Sequence, residues 1–233
     1  MIGALERGVR AASLRRGDPE LDAACLRVAR WQSRRLATTY ADLAANPRYR
    51  AAVAFFQSDL YGGAGHGQRD ADLARVVPLM VRLLPGAVVL TVARAMELAA
   101  LSEELDAGLA RRLGTRPLNG RAYAAAYRDS AGSAERERQI ELLLEVGQAL
   151  DRYVRKPLLR ASLAAMRRPA HAAGLGDLQG FLERGFEAFA RMNGAGEFLA
   201  IIEARERALM RGLFDGDPKV VESLDDDAAP DQD

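Results

Sequence analysis

Two carboxylates set among apolar neighbours are the first residues to weigh for chemistry. Glu97 stands between Met96 and Leu98, and Glu145 between Leu144 and Val146. A buried carboxylate pair has its proton affinities driven apart and can act as acid and base. The chain, however, carries 33 Lys and Arg, of which only Lys156 and Lys219 are lysines. Buried charges are ordinarily paired, so structural salt bridges are the first expectation for both glutamates. Histidine offers less. His66 lies in a glycine loop and His171 follows Pro169, and neither belongs to a His-x-x-x-His pair that would present two ligands on one helix face. The Glu-x-x-His motifs of di-iron bundles do not occur. One histidine in a helical pocket suffices to hold haem, but His171 alone does not single out that chemistry. Cys25, within Ala23-Ala24-Cys25-Leu26, reads as a small core residue without an activating histidine. The run Gly62-Gly63-Ala64-Gly65-His66-Gly67 lacks the Lys-Ser/Thr ending of a phosphate loop and reads as a turn. No catalytic residue, metal or cofactor is assigned.

The most distinctive segment is Phe55-Phe56-Gln57-Ser58-Asp59-Leu60-Tyr61, stopped by Gly62-Gly63. With 7 Phe and 6 Tyr in 233 residues, three inside one short segment are a local concentration that some packed surface must absorb. At 100° per residue Phe55, Phe56, Asp59 and Leu60 cover one compact side of a helix. A carboxylate among aromatics needs a partner, which Arg69 or the backbone of the glycine turn supplies in this reading. Phe55, Phe56, Asp59, Leu60, Tyr61 and Arg69 are therefore the candidate binding residues. A core anchor with a structural ion pair is the reading favoured over a ligand site.

The elements that position these residues are helical. Asp18-Pro19-Glu20 supplies a cap acceptor, a proline for the first helical position and an acid for the helix dipole, which predicts a helix over 19–45. Asn46-Pro47 repeats the signal and predicts a second helix to 61, forming a hairpin with the first. An apolar segment over 70–84 is interrupted by Pro78. A long helix is expected from Pro85 to about 113, apolar nearly all round over 88–101 and hence central and buried. Short and long helices follow over 121–128 and 134–154. Gly174 to Asp177 reads as a turn and cap, and helices follow from 178 and from Phe198, the latter with Ile202, Leu209 and Leu213 on one side. Two-residue alternation is absent. The expected fold is all-α, a single bundle of about seven to nine helices over 18–214.

Composition agrees, with Ala and Leu abundant and β-branched and aromatic residues sparse. A single cysteine, no secretory leader and no apolar stretch of bilayer length predict a cytoplasmic protein with no membrane span. The net charge of +1 hides an asymmetry. Residues 215–233 hold eight acids and one Lys, leaving 32 bases against 24 acids before them, a net of +8. Too few large apolar groups occur in that tail to offset ordering entropy, so 215–233 is expected to be mostly disordered, and 1–17 to be a flexible basic segment.

Residues 55–61 resemble the signature of a bacterial family, the FFLEELY-motif proteins. Phe55, Phe56, Leu60 and Tyr61 agree with it, Asp59 replaces Glu, and Gln57 and Ser58 stand for Leu and Glu. Other segments look similar too: Arg69-Asp70-Ala71 with Val77-Pro78, Glu137-Arg138-Gln139-Ile140 with Glu145-Val146-Gly147, and Gly185-Phe186 with Phe189. The resemblance covers most of 35–214, implies one helical unit and carries over no catalytic residue. Amphipathic helices without a catalytic signature point first to a noncatalytic protein-interaction or regulatory module. A lipid-like or haem-like small-molecule pocket is the second reading. Electrostatic nucleic-acid binding is third, resting on the basic body and the arginine pairs at 15 and 16, 34 and 35, 111 and 112, and 167 and 168.

Overall fold

The computed structural model describes residues 17–60 and 86–228. Helix α1, Pro19–Thr39, starts as its cap signal requires: the Asp18 carboxylate accepts a hydrogen bond from the Leu21 N–H at 3.0 Å. Its buried face runs through Leu21, Cys25, Val28, Trp31 and Arg35 at steps of three and four, with Leu36 beside them. The expected continuous helix over 19–45 breaks at Tyr40, after which α2 covers Ala41–Ala45. The break turns Tyr40 into the interior, where its hydroxyl donates to Glu206 at 2.6 Å. Asn46-Pro47 does not open a helix either. The Asn46 side chain accepts from the Arg48 N–H at 3.0 Å in a turn, and α3 begins later, at Arg50–Phe55. The chain then widens into a π turn over Phe56–Leu60, within which the Ser58 hydroxyl donates to the Ala54 carbonyl at 2.8 Å.

The long helix α4 covers Gly86–Leu113, followed by α5, Gly120–Ser130, and α6, Ser133–Val154. Asn119 caps α5 by accepting from the Ala122 N–H at 2.8 Å. The expectation that the first half of α4 is its buried part is corrected. Burial concentrates from Met96 onward and is densest at Leu105, Ala107, Leu109, Ala110 and Leu113, while Leu90 is 53% exposed. The cause lies in the neighbours. Helix α6 runs antiparallel along α4, with Tyr153 beside Thr91 and Gln139 beside Ser102. Helices α1 and α5 reach the second half, where Gln32 meets Asp106 and Ser130 faces Gly108.

Short helices α7, Pro157–Ala165, and α8, Arg167–Ala172, lead into α9, Gly176–Arg191, and α10, Gly196–Asp215. Phe189, Met192, Phe198 and Leu213 join Val28, Trp31 and Leu109 among the most enclosed side chains. The cap expected at Asp177 is absent, because α9 starts at Gly176, two residues before the expected 178, and places Asp177 inside its first turn. The disordered tail expected over 215–233 is corrected as well: Pro218–Ala228 forms helix α11, packed on α1, α5 and α10. The charge count concealed its one apolar side. Val220 and Val221 pack on the core and Leu224 is only 1% exposed, while the Asp217 carboxylate accepts from the Lys219 N–H at 3.0 Å. Gly212 makes the docking possible, since a β-carbon there would lie 2.5 Å from a Val220 methyl.

All-α is thus the architecture of the described residues, which contain no strand. The basic segment 1–16, Tyr61, the glycine turn, His66, Arg69, the helix expected over 70–84 and residues 229–233 lie outside them.

Candidate functional site

The aromatic joint is a packing device. Phe55, at the end of α3, is buried against Phe181 of α9, with ring centroids 5.3 Å apart. Its ring occupies the space a β-carbon at Gly185 would need, 2.8 Å from Phe55 Cζ. Phe56 is half-buried between Phe189 and Phe198, at 6.3 and 6.0 Å. The joint therefore clamps α3 onto α9 and α10. Asp59 and Leu60 belong to the π turn. The expected pairing of Asp59 with Arg69 involves a residue outside those described, as does Tyr61.

The structure brings Glu97 and Glu145 together across α4 and α6, but through arginine. Arg138 lies 3.3 Å from Glu97 Oε1, 3.3 Å from Glu145 Oε1 and 3.3 Å from Glu141 Oε2, while Arg94 Nη1 lies 2.7 Å from Glu145 Oε2. Both carboxylates are thus engaged by arginine in ion pairs and do not face each other as a free pair. Glu97 lines a shallow groove of about 300 Å³ with Glu104, Glu135 and Arg138. His171 is exposed, its Nδ1 2.8 Å from the Arg167 carbonyl oxygen. Cys25 is buried in the core.

A buried polar network escaped sequence reasoning. Arg35, only 8% exposed, forms a two-pronged contact with Glu206 of α10, at 2.7 and 3.3 Å. Glu206 also accepts from Tyr40. Burial alone would raise this carboxyl, but the Arg35 charge and the hydrogen bonds from Arg35 and Tyr40 outweigh it and hold it below the ordinary glutamate range. Beside it Gln32 donates to Asp106 Oδ1 at 3.1 Å and to the Tyr123 hydroxyl at 3.3 Å. Tyr123 stacks on Trp31 with centroids 4.1 Å apart. The Arg136 guanidinium sits 4.1 Å over the Tyr127 ring. Burial pushes the Tyr123 and Tyr127 hydroxyls up, so both stay protonated. With its oxygens committed to Arg35 and Tyr40, Glu206 joins α1 to α10 and is no free base. One signal for this network was available: Arg35 lies seven residues after Val28, on the apolar stripe of α1.

The remaining distinctive surface is the arm α7–α8 with the outer side of α9. No residue of α7 is buried. Leu158 is 77% exposed and Met166 51%, with Leu182 of α9 also exposed. Beside the arm, an open groove of about 610 Å³ separates the start of α4 from the end of α6. Leu90, Arg94, Arg152, Tyr153, Arg155 and Lys156 are among its lining residues.

A family model described as "Domain of unknown function (DUF8198)" matches residues 11–220. The chain belongs to this family. No curated protein and no solved structure matches it. The family span includes every element from α1 through α10, so the aromatic joint, the Arg35–Glu206 contact and the exposed arm are all parts of the family domain. Among the described residues no helix is long and apolar enough to cross a membrane.

Proposed function

We propose that this member of the family is a noncatalytic protein-interaction module, cytoplasmic in location, whose contact surface is the arm α7–α8 with the outer side of α9. The observation that carries the reading is the arm itself: α7 has no buried residue, and it and the Met166 junction that follows present Leu158, the most exposed large apolar side chain among the described residues, and Met166 to solvent. Exposed apolar groups gathered on neighbouring elements with a charged surround are the mark of an interaction face. The committed state of Glu97, Glu145 and Glu206 supports it from the other side, since each is held by arginine. The fit of 55–61 to the FFLEELY signature belongs to the same reading, with Phe55 and Phe56 as structural clamps that orient α9 beneath the arm.

The partner in this reading is a protein whose contact face combines apolar groups with acids, complementary to the cations Lys156, Arg160 and Arg168 around the exposed leucines. The test is a paired recovery at native expression level, comparing the full chain with Leu158→Asp/Met166→Asp. Recovery of a defined protein by the wild-type chain and its loss from the variant, with unchanged thermal stability, is the expected result. Equal recovery by both, or none by either, contradicts the proposal.

A further inference from the structure

We propose that the groove between the start of α4 and the end of α6, continued along α7, seats an acidic helical segment of the partner protein. Its carboxylates meet Arg152, Lys156 and Arg160, and its apolar side chains cover Leu90 and Leu158. This rests on the interaction reading above and specifies its chemistry.

Charge is the first argument. Between Asp151 and Asp177 the chain holds Arg152, Arg155, Lys156, Arg160, Arg167 and Arg168 and not one acid. Arg155 is engaged by Asp151 at 2.7 Å and Arg167 by Glu183 at 2.8 Å. Among the described residues no carboxylate is within salt-bridge distance of Arg152, Lys156, Arg160 or Arg168. The placement also opposes local stability. Lys156 is the N-cap residue of α7 and Arg160 falls in its first turn, where the helix dipole favours acids and none is present. Lys156 lies 5.8 Å from the Tyr153 ring centroid, a cation–π contact, whereas Arg160 keeps no carboxylate partner among the described residues, a local mismatch that an acidic partner would compensate.

Shape is the second argument. The groove is concave and preformed: Tyr153 donates to the Ala87 carbonyl oxygen at 2.8 Å and lies 3.0 Å from the Thr91 hydroxyl. Leu90 stands at its edge, 53% exposed. A flat bilayer surface cannot enter a concavity lined by the cations, and exposed leucines offer no stacking platform for nucleic-acid bases. An amphipathic helix with acids on one flank satisfies both the groove and the leucines.

The test measures binding of a labelled amphipathic Glu/Leu peptide helix to the full-length chain by fluorescence anisotropy. Binding should saturate, weaken with added salt, and weaken by about tenfold or more in Arg152→Glu/Lys156→Glu. The matched reversal Arg121→Glu/Arg211→Glu, on α5 and α10, should leave it nearly unchanged. All four positions are exposed, and circular dichroism checks that each variant folds. No binding, an equal loss in both double variants, or preferential binding to phosphatidylserine vesicles or duplex DNA overturns the inference. Native partner recovery separates the two proposals. A partner lost from Leu158→Asp/Met166→Asp but retained by Arg152→Glu/Lys156→Glu refutes the acidic seat and leaves the interaction module standing.

Discussion

Arg35 and Glu206 illustrate how a charged pair can be structural and yet decisive. Removing one member leaves the other enclosed, which costs about 3 kcal/mol when a buried pair is broken. Urea denaturation of Glu206→Ala should show a loss of that order, whereas Arg35→Met/Glu206→Leu should recover most of it. The pair also sets a pH dependence. The carboxyl is depressed in the folded chain, so its contribution is fully present above the ordinary glutamate range and lost as pH falls through the depressed value. Asp42 adds to the same window: the hydrogen bond from Arg205 draws its carboxyl down to about 2. Denaturation midpoints measured from neutral pH into acid should fall, and fall less steeply in Glu206→Gln; parallel curves would rule out this assignment. These roles were only partly legible in the sequence. The abundance of arginine correctly suggested salt bridges for Glu97 and Glu145. Arg35 looked like one more surface arginine because its partner, Glu206, lies 171 residues further along the chain and only tertiary folding brings it alongside.

At the scale of elements, caps and proline signals located the starts of α1 and α4, and apolar spacing located α6, α9 and α10. Boundaries failed where a side chain had a stronger destination, tertiary or local, than the helix pattern implied. Tyr40 leaves the helix to reach Glu206, and Asn46 forms a turn in place of a cap. The acidic tail failed for the opposite reason: average composition hid the spacing of Val220, Val221 and Leu224. Docking of α11 is directly testable. Leu224→Ala should cost about 2–4 kcal/mol, as expected for a fully enclosed leucine and not for a disordered one. Gly212→Ala should also destabilise, because overpacking of about 1–3 kcal/mol against Val220 exceeds the gain of about 1 kcal/mol in helix propensity. The same contest applies at Gly185, where an added methyl meets the Phe55 ring. Gly185→Ala should lower the melting temperature in the wild-type background and less so beside Phe55→Leu. An equal effect in both backgrounds would show that the aromatic joint is not the cause.

On the scale of the whole molecule, α1 and α10 share a buried ion pair, α4 and α6 an arginine-centred ladder, and α3 and α9 an aromatic clamp. The all-α class was legible because helical spacing pervades the chain. The exposed arm was not, since Leu158 and Met166 look like ordinary core residues until their helix is seen to lack a covering element among the described residues. If that arm is a contact surface, its side chains add nothing to the stability of the isolated chain. Leu158→Asp should therefore change unfolding free energy by no more than about 0.5 kcal/mol while weakening association. Site-specific photo-crosslinking in living cells tests the central claim most directly, with the reactive group placed at 158 or 166 and, as a control, at 121 on α5. The account predicts a discrete protein adduct from 158 and 166 and none from 121; no adduct, a lipid or nucleic-acid adduct, or the same adduct from all three would contradict it.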